Sequence, residues 1–135
     1  MALQYSTTLR NNQLDTIETT IGTSAVLKIR TGAPPANIAT ADSGTVLATL
    51  NLPSDWLAAA SSGSKAKSGT WEDLSADNTG TAGHFRIYQS DGTTAHIQGT
   101  VTVTAGGGDM TVDNTSFASG QNVTVSTFTI SRGNA

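Results

Sequence analysis

The chain carries two histidines, ten carboxylates and no cysteine, so any chemistry must come from imidazole, carboxylate, hydroxyl or amine groups. Thiolate metal sites and disulfides are excluded. Serine is abundant, but no Gly-x-Ser-x-Gly turn sets one beside a base. Glu72 and Asp73 are adjacent; on a strand they face opposite sides and make a poor acid–base pair. His84, read at a strand start, and His96, read on an outer strand face beside Tyr88, have no carboxylate pair at ligand spacing, so both are expected exposed and metal-free. Asp109 and Asp113 flank a hairpin arm next to Gly106-Gly107-Gly108, a composition that a loose calcium loop shares with an ordinary tight turn. The turn reading is preferred, because tight turns demand Asp and Gly. The three glycines are not followed by a helix start with Lys and Ser/Thr, so they are no phosphate loop. The residues thus point to no catalytic group, metal or cofactor, and the expectation is a protein that is not an enzyme.

The elements that would position a binding surface come next. At 135 residues the chain has the size of one domain able to bury its own core. Only 13% of residues are charged, against a usual ~25%. Threonine, serine, glycine and alanine fill the gap, and β-branched hydroxyl residues suit exposed strand faces. A net charge of −3 without a Lys/Arg cluster lacks the footprint of a nucleic-acid binder. No stretch approaches the ~18 apolar residues of a membrane span, and Met1-Ala2-Leu3-Gln4-Tyr5 shows no secretory pattern.

Ser6 reads as the N-cap of a helix that runs to Ile21 and stops at Gly22, with Leu14, Ile17 and Ile21 on one face and Leu9 extending it. From Ala25 the period becomes two, and Ala25, Leu27 and Ile29 point inward. Gly32 to Asn37, with Pro34 and Pro35, is a surface loop. A strand over Thr45–Leu52, a helical turn over 56–60, a soft segment over Ser61–Ser68, a strand near Trp71 and a loop over Ser75–Gly83 follow. His84 to Thr104 reads as a hairpin tipped by Asp91-Gly92. A three-residue turn there sets Ile87 opposite Ile97 and Tyr88 opposite His96, with Phe85, Ala95, Val101 and Val103 on the same inner face; Tyr88 is the one aromatic expected to point outward. Met110 and Val112 rejoin the core, 114–121 is a loop, and the last strand needs a bulge near Ser126-Thr127 or cover on both faces, because its apolar parity changes. The expected fold is all-β, a two-sheet antiparallel sandwich of jelly-roll type. One domain is expected, with residues 1–24 as N-terminal segment and helix and 25–135 as the sandwich.

Met1 to Asn12, Asn51-Leu52-Pro53-Ser54-Asp55-Trp56, Ser64 to Trp71 and Phe85-Arg86-Ile87-Tyr88 resemble a family of small tailed-bacteriophage virion proteins. The resemblance implies a head decoration, or cement, protein. Such a protein is made in the host cytoplasm and sits on the outer surface of the head. Its implied partners are the major capsid protein and itself, as homodimer or homotrimer. The expected contact residues are Leu3, Tyr5 and Leu9 of the N-terminal segment and Pro34 and Pro35 of the loop. The alternatives are a tail or tail-fibre component, or a receptor- or carbohydrate-binding β-sandwich module.

Overall fold

The computed structural model describes residues 2–133. One helix, α1 (Thr7–Ile21), precedes nine strands: β1 (Val26–Thr31), β2 (Val46–Asn51), β3 (Ser64–Ala66), β4 (Glu72–Asp73), β5 (Gly80–Tyr88), β6 (Ala95–Val103), β7 (Met110–Val112), β8 (Ser116–Phe117) and β9 (Val123–Ser131). The strands join in the order β2-β1-β5-β6-β7-β9-β3, with β4 on β9 and β8 on β5.

The sheet curls on itself. Phe85 of β5 meets Phe128 of β9 edge-on, 5.6 Å between centroids, although two strands separate them in the sheet. Trp71 lies 5.5 Å from Phe128 and Trp56 lies 6.0 Å from Trp71. Both tryptophans are fully buried, and their indole N–H groups donate to the Gly22 and Ser68 carbonyls. Large rings bury the most apolar area per residue, which lets a chain poor in aliphatics close one core. At the two margins the Asp73 carboxylate accepts from the Thr49 amide, fastening β4 to β2.

The sheet is mixed, which corrects the expected all-antiparallel sandwich: β6 and β7 pair in parallel, Val101 opposite Met110 and Val103 opposite Val112. Parallel strands usually need a long crossover. Here β7 has three residues and overlaps only the end of β6, so the connection retraces just ~7 Å. The glycine run makes this reversal possible. A Cβ on Gly108 would lie 2.8 Å from the Thr102 side chain, and the Gly108 amide donates to the Thr102 hydroxyl.

Several local expectations hold. The Ser6 hydroxyl accepts from the Leu9 amide and Gly22 ends the helix. Ala25, Leu27 and Ile29 are buried, and Ile87 faces Ile97. In β9 the bulge is present: Thr111 pairs with Thr127 but Val112 with Val125, so Ser126 is skipped and Val123, Val125 and Phe128 all reach the core.

Others are corrected. Residues 56–60 form no helical turn; Leu57 bridges to Lys67 and the segment runs extended beneath α1. The soft segment contains β3, because its alternation buries Lys65 against β9. β5 begins at Gly80, inside the expected loop, and β8 pairs with it from within 114–121. Tyr88 pairs with Ala95, because the register shifts after Ile87, and Tyr88 is fully buried. His84 is buried too, in the middle of β5, with Nδ1 2.9 Å from the Gly32 carbonyl that it donates to. Val103 lies on the exposed side.

Candidate functional site

Two surface segments were expected to make contacts, and the structure ties each to a different part of the fold. The N-terminal segment rides on α1. Asn11, Asp15 and Glu18 lie on one helix face, and their side-chain oxygens accept from the amides of Gly63, Ala60 and Leu57 in turn. The helix runs antiparallel to residues 57–63 and satisfies the amides on the edge of this segment that faces away from its bridges to Ser64 and Lys67. Lys65 closes the latch from below. Its buried ammonium lies 2.8 Å from Asp15, 3.0 Å from Glu18 and 2.8 Å from the Ala58 carbonyl. The Lys65 bond and the Ala60 amide hold the Asp15 carboxyl below its ordinary value. For Lys65, burial favours the neutral amine, but the bonds to Asp15 and Glu18 outweigh it and raise the pKa above the usual lysine value.

On this base Leu3 is 78% exposed and Leu9 is 45% exposed. Tyr5 is half-buried, with the Arg132 guanidinium 5.7 Å from its ring centre. Arg132 also donates to Gln13, and Arg10 donates to the Arg132 carbonyl, so the start of the helix is pinned to the end of β9. Leu3 and Leu9 are thus presented on a braced support.

Pro34 and Pro35 are half-buried in the β1–β2 connection. This loop lies over the outer face of β1, β5 and β6 and is held by a polar cluster. Asp42 accepts from Arg30 at 2.8 Å, Arg86 at 2.9 Å and the Tyr88 hydroxyl at 2.8 Å. Gln98 accepts from Arg86 and donates to the Pro35 carbonyl, and Arg86 donates to the Asn37 carbonyl. Burial would raise the Asp42 carboxyl, but Tyr88, Arg30 and Arg86 outweigh it and hold the group below the ordinary aspartate value. Burial raises Tyr88, and its bond to Asp42 adds to the shift.

Chemically the cluster is a fastening. Both Asp42 oxygens are engaged by donors, which leaves no free base beside the tyrosine. Asp109 accepts from the Thr100 amide and hydroxyl through one oxygen, Oδ2. His96 hydrogen-bonds Gln89 at the exposed hairpin tip. Among the described residues, no group of three or more His, Asp or Glu is placed to hold a metal ion. Among the described residues, no helix is long and apolar enough to cross a membrane.

Sequence reasoning missed both polar clusters. Asp15 and Glu18 share a helix face, which was legible, but nothing local marks Lys65 as their partner. Arg30 and Arg86 alternate with the core residues and so read as solvent-facing; the loop that covers them is remote in sequence. Comparison with protein families, with characterised proteins and with solved structures found no match for this chain.

Proposed function

We propose that the protein is a decoration, or cement, protein of a tailed-phage head, bound to the outside of the shell across seams between major capsid subunits. The observation that carries this reading is the exposed apolar N-terminal segment, Leu3 above all, on a helix braced at both ends. A preorganised apolar contact loses little conformational entropy on binding. The low charge and high threonine content support it as well, since a surface poor in ions meets another protein with little desolvation cost. The proline loop, pinned through Asp42, is the second contact. We also read the curled sheet as jelly-roll-like, its layers meeting at Phe85 and Phe128.

The mechanism is mechanical. Each copy buries surface on two neighbouring capsid subunits, and opening the seam must break those contacts. By linkage, a ligand held at 100 times its Kd adds about 2.7 kcal/mol to the state that it binds, and the lattice repeats this at every site.

The test is quantitative mass spectrometry of purified virions, with reconstitution on undecorated heads. The expected result is a copy number in a simple ratio to the major capsid protein. Deleting residues 2–5, which leaves the Ser6 cap in place, should abolish decoration while the protein stays folded. A handful of copies, or none, would overturn the reading; a few copies in multiples of three or six would point to the tail.

A further inference from the structure

We infer that the open edge of β6 beside α1 takes up an extended peptide segment of a partner protein, apolar at alternate positions, uncharged in its middle and basic at the end that meets Asp109. β7 pairs with Val101–Val103 of β6, and among the described residues no strand pairs with that side of Ala95–Gly99. The direction of the backbone groups follows from the ladder. The Thr100 amide turns away from β5 to Asp109, so the bonds to β5 come from Gly99 and Ile97, and Gln98 points its N–H and C=O outward. The Thr94 carbonyl accepts from the Gln89 amide and the ladder skips His96, so Ala95 points outward as well. The two margins of the sheet are closed by contrast. Asp77 and Asn78 donate to the carbonyls of β2 and Asp73 accepts from its Thr49 amide, while Ala58 and Ser61 bond to β3.

A groove of about 190 Å³ lies beside this edge, lined by Thr16, Ile17, Thr20 and Ile21 of α1 and His96 and Ile97 of β6. An unpaired strand edge is matched by another extended backbone, which a folded surface of side chains does not supply. Every second side chain of an added strand turns to the same face, so an apolar one enters the groove against Ile17, Ile21 and Ile97. The lining holds no carboxylate, amine or guanidinium, which selects an uncharged middle. Charge enters at one end. Asp109 packs on Gly99, where a Cβ would lie 2.8 Å from its Oδ2, and that oxygen takes the Thr100 amide and hydroxyl. The residue is exposed, and its other oxygen has no partner among the described residues, so a lysine or arginine at that end of the segment engages it. The inference does not depend on the capsid reading and is tested on isolated protein.

The probe is a peptide of about eight residues, the length of an ordinary strand, that alternates threonine and valine and carries lysine at both ends. Either strand direction then brings a lysine to Asp109. Added to isotope-labelled protein up to about 1 mM, the weak end of specific affinity, it should shift the amide resonances of Ile17, Ile21, Ala95 and Gln98. Hydrogen exchange at the Ala95 and Gln98 amides should slow. The same peptide N-methylated along its backbone should not bind, and glutamate in place of both lysines should weaken binding about two- to fivefold. Ala95→Pro removes an edge amide, and Thr20→Arg fills the groove from an exposed position. Each should lose the peptide, and the spectrum of the free variant checks its fold. No shift at the highest concentration, equal shifts from the N-methylated or the glutamate peptide, unchanged exchange at Ala95 and Gln98, or undiminished binding by the folded variants would each overturn the inference.

Discussion

An ammonium group inside a protein is tolerated only when its donors are met, and Lys65 has three acceptors within 3.0 Å. Its stem is enclosed between α1 and β9, so its removal costs packing as well as charge. Lys65→Ala should destabilise by about 2–4 kcal/mol, toward the low end of buried-pair losses because Asp15 is half-exposed. Lys65→Met keeps most of the stem and should cost less. Urea denaturation of both variants at neutral pH measures the difference, and equal losses would show that the charge alone matters. The inward direction of Lys65 follows from strand alternation once β3 is known. The sequence around it is too short and too polar to announce a strand, since its pairing partner β9 lies over 60 residues away. Leu3 and Leu9 are exposed, Leu9 because it sits toward the start of the helix, away from the buried Leu14 and Ile21 that the same apolar stripe contains.

At the scale of elements, local signals worked where the cause is local. Ser6 and Gly22 set the helix ends through backbone capping, Asp91-Gly92 set the hairpin tip, and the parity change in the last strand announced the bulge at Ser126. Asp91 shows why its turn is firm: the Thr94 hydroxyl and the amides of Thr94 and Thr93 hold its carboxylate well below the ordinary value. The parallel β6–β7 pair was illegible, because a glycine-rich connection between strands reads as a hairpin by every short-range rule. What distinguishes it is the close approach to Thr102. Gly108→Ala should therefore cost about 1–3 kcal/mol, as overpacking does. A Thr102→Ser change removes the methyl that the new Cβ would meet and should recover part of the loss, read as a non-additive double-mutant cycle in thermal melts. For α1, Ser6→Ala should cost about 0.5–2 kcal/mol. The loss should appear as faster amide exchange confined to the first helical turn, because the ladder from Asn11 to Glu18 holds the rest.

Over the whole molecule, two polar fastenings hold segments at the margin of the apolar core: the helix latch at Asp15, Glu18 and Lys65, which adds to the burial of Leu14 and Ile21, and the loop latch at Asp42, Arg30, Arg86 and Tyr88. Their protons fix the pH range of stability. Asp15 and Asp42 have folded-state values below 3.8, so the unfolded chain takes up their protons first as pH falls. Their contribution is complete above about pH 5 and is lost progressively as pH drops through the folded values. Lys65 and Tyr88 are displaced upward, from 10.5 and 10.0. The unfolded chain loses these protons first, so stability is full below about pH 9 and declines as pH rises through the folded values. The urea midpoint should be flat between these limits and fall on both sides. Each latch should report separately. Asp42→Asn lowers stability at neutral pH by leaving Arg30 and Arg86 without their carboxylate, and it flattens the acid limb in proportion. Lys65→Met flattens the alkaline limb and leaves the Asp42 part of the acid limb intact. If both substitutions leave both limbs unchanged, these latches do not govern the pH dependence, and the acid and alkaline transitions belong to groups outside them.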